Sequence, residues 1–194
     1  MTETTTGNPH GSLYIIRHGR TDWNDLRKLQ GRTDIPLNEE GRRMAAEAAK
    51  EYADIPFDIC FCSPLVRAKE TAEILLRDRD VPIEYDDRLM EMSFGIYEGV
   101  QYSFSIPDCP VNRFFDHPET YTDAVEGGES TPELMARTGS FLCEKVYPRI
   151  RRGENVLIVG HGAMNSSIIC NVRNLPLTEF WSVGIENCKL KKLM

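Results

Sequence analysis

A chain of 194 residues, 41% hydrophobic and 27% charged, is long enough for a single domain over residues 1–194 with a full core, and its composition is that of an ordinary globular protein. Its net charge of −7 argues against general binding to nucleic acid or to an anionic membrane surface, both of which need a basic face. No apolar run approaches the ~20 residues of a membrane span, and the polar, Thr-rich start lacks the apolar centre of a signal peptide, so a cytoplasmic protein with a loose tail over residues 1–11 is expected.

Leu13-Tyr14-Ile15-Ile16 reads as a buried strand running into Arg17-His18-Gly19. Residues 19–37 are polar and irregular. A helix is expected from Asn38, a good N-cap, with Glu39 and Glu40 in its first turn and Met44, Ala45, Ala48 and Tyr52 on one face. A second strand covers residues 57–62. Ser63-Pro64 then reads as a helix start, with a capping serine and a first-turn proline, and the helix is expected to reach about Arg79. Residues 83–85 suggest a short strand. Periodicity fails over residues 93–128, where Gly95, Gly99, Pro107, Pro110, Pro118 and Gly127-Gly128 interrupt an aromatic-rich stretch; a lid or insertion over residues 93–129 is expected. Ser130 to Glu133 resembles a capping box opening a helix to about Arg151. Val156–Val159 is a further strand, residues 163–172 a helix, and residues 184–190 a last strand. Alternating strands and helices indicate an α/β fold, expected as a three-layer α/β/α sandwich with a mostly parallel central sheet. The six cysteines are scattered, with no paired CxxC spacing for zinc, and read as reduced thiols partly in the core.

The chemistry is concentrated in four places. Arg17-His18-Gly19 and Gly160-His161-Gly162 each end an apolar strand, so two imidazoles can meet in the crevice at the carboxyl ends of the sheet. Arg17 suggests an anionic ligand, with Gly19 allowing close backbone approach and Thr21 and Asn24 adding neutral donors. Arg67 falls in the first turn or so of its helix, where helix dipole and guanidinium both favour an anion; a surface arginine paired with a carboxylate is the plainer alternative. Glu91 is flanked by Leu89, Met90, Met92 and Phe94, and a carboxyl in apolar surroundings suits a general acid. Two competing motifs fail. Gly160-x-Gly162 lacks the third glycine of a dinucleotide loop, which Asn165 replaces, and lies near the wrong end of the chain. Cys62 stands too close to Arg67 for a cysteine phosphatase loop, with no glycine-rich cradle between them.

In order along the chain, Arg17-His18-Gly19, Ser63-Pro64-Leu65-x-Arg67-Ala68, Glu91 ahead of Phe94-Gly95-x-x-Glu98-Gly99, Gly127-Gly128-Glu129-Ser130 and Gly160-His161-Gly162 resemble the histidine phosphatase superfamily, which includes cofactor-dependent phosphoglycerate mutase. The segment from Gln30-Gly31 to Leu37 resembles the family's second substrate loop. The resemblance implies that His18 is the nucleophile and forms a phosphohistidine. Glu91 would protonate the leaving oxygen and then deprotonate water. Arg17, Arg67 and His161 would clamp the phosphoryl oxygens, with Asn24, Thr21, Gln30, Gly31 and Gly162 around the substrate. A loose phosphoryl transition state needs positioning and charge more than covalent help, so the resemblance implies no metal and no cofactor. A backbone carbonyl near Gly19 is expected to fix the tautomer of His18. Arg20 stands where the family often has glutamate; it would either favour a more anionic substrate or pair with Asp22 or Asp25.

Because the chain ends soon after its last expected strand, hydrolysis of a small phosphomonoester is favoured over mutase-type transfer and over a catalytically silent phospho-ligand binder. Within the small phosphatases, the α-ribazole phosphatase and broad-specificity sugar phosphatase branches look nearest in length and motif spacing. The expected partner is a small-molecule phosphomonoester, with the protein a monomer or homodimer. Specificity is expected in residues 93–128, where Tyr97, Tyr102, Phe104, Phe114, Phe115 and Tyr121 would line the pocket or form a local core.

Overall fold

Five strands form one sheet in the computed structural model, which describes residues 10–194. They are β1 (Leu13–Arg17), β2 (Ile59–Cys62), β3 (Ile83–Tyr85), β4 (Val156–Gly160) and β5 (Leu190–Lys192), in the spatial order β3-β2-β4-β1-β5. All neighbours are parallel except β1 and β5. The helices in chain order are α1 (Asp22–Asp25), α2 (Glu39–Glu51), α3 (Val66–Leu75), α4 (Asn112–Asp116), α5 (Thr131–Phe141), α6 (Tyr147–Arg151) and α7 (Gly162–Arg173).

Side chains alternate across the sheet as the two-residue strand period demands. Leu13, Ile15, Ile59, Phe61, Val156 and Ile158 pack with Phe141, Val146 and Ile168 from the α5 to α7 side. Ile16, Cys60, Cys62, Leu157 and Val159 pack with Ala45, Ala48, Ala68 and Ala72 of α2 and α3. The central strands are buried on both faces, which is why they read as continuous apolar runs. A third cluster, with Met92, Phe94, Val111, Phe114, Tyr121, Leu134 and Phe180, lies under residues 93–129.

Several local expectations need correction. The second strand begins at Ile59, two residues later than expected. α3 begins at Val66 and ends at Leu75, and Ser63 does not cap it. The Val66 N–H instead donates to Asp34 Oδ1 at 2.7 Å, a cap supplied from a distant loop. The box at Ser130 is present with both reciprocal bonds, but the helix it opens changes pitch: Leu142–Val146 form a π turn just before Pro148, which cannot donate to the α ladder. The last strand is Leu190–Lys192 rather than residues 184–190, because the preceding loop is tied to β1. Asn187 Nδ2 donates to the His18 carbonyl at 2.7 Å and the Cys188 N–H to the Arg17 carbonyl at 2.9 Å. Of the expected tail, residues 1–9 lie outside the described residues, while the Gly11 N–H donates to the Ile150 carbonyl at 2.9 Å. Among the described residues no helix is long and apolar enough to cross a membrane.

Candidate active site

The register of the sheet builds the site. Arg17 pairs with Gly160 across β1 and β4, so the next residue on each strand, His18 and His161, emerge side by side. Their ring centroids lie 5.1 Å apart, and the His18 N–H donates to the Gly160 carbonyl at 2.9 Å. Arg17, His18, Asn24, Gln30, Gly31, Arg67, Glu91 and Gly162 line one cavity of about 250 Å³. His161 is fully buried behind it. Thr21 is not part of the lining: it caps α1, and its hydroxyl is taken by Asn24 and Gln30. Asn24 Oδ1 accepts from Thr21, which leaves the Asn24 amide NH₂ for the cavity.

His18 Nδ1 lies 2.6 Å from the Gly19 carbonyl oxygen. A carbonyl only accepts, so Nδ1 carries the hydrogen and Nε2 keeps its lone pair. Burial, and then the charges of Arg67 and Arg17, hold the His18 pKa well below the usual imidazole value. His161 is lowered in the same way, by burial first and Arg67 second. His161 Nε2 is 2.7 Å from Ser63 Oγ, and the Leu65 N–H donates to that oxygen at 3.3 Å. With the serine hydroxyl donating to Nε2, neutral His161 carries its ring hydrogen on Nδ1. That Nδ1 has no partner among the described residues.

Arg67 is fully buried, which excludes the surface-arginine alternative. Its Nη1 and Nη2 donate to the carbonyls of Thr33 and Gly31 at 2.9 and 2.7 Å, and its Nε is buried without a partner. Burial lowers it to about 10. Arg17 donates to the Ile185 carbonyl at 3.3 Å; its Nε is also unpartnered, and burial lowers its pKa. Buried donors without acceptors are rare and call for a missing partner. Three of them, on β1, on α3 and beside the start of α7, suit a small oxyanion.

Glu91 differs from its expected apolar setting. Its carboxylate accepts from the N–H groups of Met92, Ala163 and Met164 at 2.9 to 3.2 Å, and so occupies the open N-terminus of α7. A point one bond from the Gly162 Cα lies 3.6 Å from Glu91 Oε2 and 3.7 Å from Arg17 Cζ, so carboxylate and guanidinium flank the same space. Among the described residues Glu91 is the only acidic one lining this cavity.

Gly19 also has a structural cause. A Cβ there would stand 2.5 Å from the Gly41 carbonyl oxygen, where the first loop crosses the start of α2. Gly31 has φ +54°, and a Cβ would strike the Glu98 carboxylate. Arg20 pairs with Asp25, one of its two expected acidic partners. It borders a wider hollow of about 780 Å³ on the far side of Arg17 and Trp181, where Lys189 is likewise paired, with Glu51.

Some contributors were not visible in the sequence. Ser63 was read as a cap and instead orients His161. Glu98 accepts from the N–H groups of Arg32 and Thr33 at 2.9 and 2.8 Å, fixing the loop whose carbonyls hold Arg67. Arg137 pairs with Glu129 and donates to the carbonyls of Arg88 and Glu91. Lys28, Leu29, Phe94, Phe115 and Trp181 complete the lining. Ser63, Phe94, Glu98 and Glu129 stand in the motifs that carry the resemblance, and Phe115 among the aromatics expected to line the pocket, but their partners left no trace.

Fold and site together define an α/β protein that gathers buried cationic and neutral donors at the carboxyl ends of its parallel strands. Residues 13–194 match the histidine phosphatase superfamily (branch 1), and the chain belongs to it. It is 36% identical to an uncharacterised phosphatase PhoE of Bacillus subtilis over 163 residues, covering 83% of this chain and 77% of the relative. It is 29% identical to a 2,3-bisphosphoglycerate-dependent phosphoglycerate mutase of Gloeobacter violaceus over 179 residues, covering 91% and 82%. The structure of a mycobacterial glucosyl-3-phosphoglycerate phosphatase complexed with VO₃ superposes with a TM-score of 0.82 at 28% identity, covering 94% of this chain and 90% of that one. Phosphatases and mutases thus both stand among its relatives.

Proposed function

We propose that this protein hydrolyses a small phosphomonoester by way of a phosphohistidine on His18. The observation that carries the reading is the bond from His18 Nδ1–H to the Gly19 carbonyl, which aims a neutral Nε2 lone pair into a cavity flanked by two guanidinium groups. In the first step Nε2 bonds to phosphorus as the ester P–O bond breaks, and Glu91 delivers a proton to the leaving oxygen. In the second, Glu91 takes a proton from water, the resulting hydroxide bonds to phosphorus, and the P–N bond breaks to release phosphate. Arg17, Arg67 and His161 Nδ1–H meet the phosphoryl oxygens, with the Asn24 amide and Gly162 beside them. Charge stabilisation then comes from fixed donors rather than a metal.

Hydrolysis is favoured over mutase chemistry by the wall beyond the cradle. A mutase must hold a second anionic group of its substrate. Here the remaining lining includes Leu29, Phe94, Phe115, Ala163 and Trp181, and among the described residues Lys28 is the one further cation. The test is phosphate release from p-nitrophenyl phosphate and a panel of phosphometabolites, with and without EDTA. Release that survives EDTA supports the reading. No release from any phosphomonoester, activity abolished by EDTA, or transfer between phosphoglycerates without free phosphate contradicts it.

A further inference from the structure

We infer that the substrate's leaving group is apolar, and that it lies in a groove between residues 27–29 and 102–105 that opens from the catalytic cavity. The inference rests on the phosphatase reading and names the class of ester it would take. The groove encloses about 530 Å³, within the usual range of small-molecule sites. Leu29, Tyr102, Phe104 and Phe115 form its walls, with Arg27 and Lys28 at its edge. Lys28, Leu29 and Phe115 line both this groove and the cavity of His18, so the two spaces adjoin.

The groove is built rather than incidental. Its floor is a short ribbon in which the Gly99 N–H donates to the Leu29 carbonyl at 2.8 Å, the Leu29 N–H to that of Val100 at 3.0 Å and the Tyr102 N–H to that of Arg27 at 3.1 Å. Phe115 is anchored by stacking on Trp181 at 5.8 Å and meets Phe104 edge-on at 5.3 Å. Phe104 itself is 64% exposed and Tyr102 47%. Large exposed aromatics beside an anion pocket contribute little to folding and mark a contact surface. Arg27 and Lys28 sit over the rings of Tyr102 and Trp23, at 5.8 and 5.3 Å. The Ser105 hydroxyl is spent on the Tyr102 carbonyl at 2.7 Å. The polar groups left to a ligand are the Ser103 and Tyr102 hydroxyls and the two cations at the edge, while an aromatic or medium-length aliphatic group would cover the exposed rings that make up most of the wall. The catalytic cavity, at about 250 Å³, takes the phosphoryl group and its first few attached atoms, so the rest of such an ester must extend outward.

The test compares n-hexyl phosphate with ethyl phosphate, both below any micelle-forming concentration. Both leave as primary alkoxides, so chemical demand is matched and only apolar length differs. The expected result is a kcat/KM at least about 10-fold higher for the hexyl ester, given the usual value of added methylenes in an apolar pocket. Phe104→Ser, at a position too exposed to threaten folding, should bring the hexyl-to-ethyl ratio toward unity. Equal kcat/KM for the two esters in the wild type, or a ratio that Phe104→Ser leaves unchanged, overturns the groove while the phosphatase reading stands. Phosphate release from neither ester, nor from p-nitrophenyl phosphate, overturns the phosphatase reading and this inference with it.

Discussion

The floor and the outer wall of the cavity are built on different principles. The floor comes from strand ends and helix starts: Arg17 and His18 after β1, His161 after β4, Arg67 on α3, and Glu91 against the start of α7. Each of these side chains is buried or nearly so and held by carbonyls, hydroxyls or N–H groups. The wall comes from residues 27–29 and 102–115, held by a backbone ribbon and by aromatic packing, with its rings partly exposed. A floor fixed by parallel register tolerates little variation and suits one chemistry. A wall of short turns and aromatic edges can change its shape without disturbing the sheet, which is where substrate choice belongs.

The sharpest break between the two regions is at the nucleophile. His18→Asn should lower turnover on every phosphomonoester by about 10⁴-fold or more, because among the described residues no other group lining the cavity offers an unprotonated nitrogen to phosphorus; steady-state phosphate release near the wild-type rate would remove His18 from its role. Glu91→Gln comes next. With alkyl esters, whose leaving oxygen needs a proton, the loss should be on the order of 10²–10⁴-fold, and with p-nitrophenyl phosphate it should be far smaller. Equal losses on the two ester types would count against proton transfer by Glu91. Ser63→Ala removes the hydroxyl that sets the His161 tautomer and should reduce kcat by about 10-fold, the value of one misdirected hydrogen bond, while Ser63→Thr should restore most of it. Failure of threonine to restore kcat would point to packing rather than to the proton.

The smallest effect is on stability. His18 and His161 are held neutral in the folded protein, well below the 6.5 of a free imidazole. Below about pH 6.5 the unfolded chain therefore binds protons that the native state refuses, and stability falls as pH falls. Each imidazole contributes a slope of up to about 1.4 kcal/mol per pH unit in that window. Denaturant unfolding between pH 7.5 and 5.5 should show this slope in the wild type and a shallower one when both histidines are replaced by asparagine. An unchanged slope would mean that other groups govern it.

The floor was largely legible because its signals are local. A strand of Leu13-Tyr14-Ile15-Ile16 ending in Arg17-His18-Gly19, and its partner ending in Gly160-His161-Gly162, needed only parallel pairing to bring the imidazoles together. The carbonyl of Gly19 could be anticipated as well. The supports could not, since each is a long-range contact that leaves no periodic trace. Asp34 caps α3 from 32 positions away, Ser63 meets His161 across 98, and Glu98 reaches Thr33 across 65. Serine before proline is locally a sound cap, but a buried imidazole nitrogen competed for its hydroxyl and took it. Residues 93–129 were recognisable only as irregular. Their aromatics divide in the structure: Phe114 and Tyr121 are core, Tyr97 packs against that core, and Tyr102, Phe104 and Phe115 line the groove.

The central claim is most directly tested by mixing the enzyme with excess p-nitrophenyl phosphate, quenching within milliseconds under alkaline conditions that preserve phosphoramidates, and mapping the modified peptide by mass spectrometry. The account predicts a single transient phosphoryl group, acid-labile and alkali-stable, on the imidazole of His18. A phosphoryl group on any other residue, or full turnover with none detectable on His18, would contradict it.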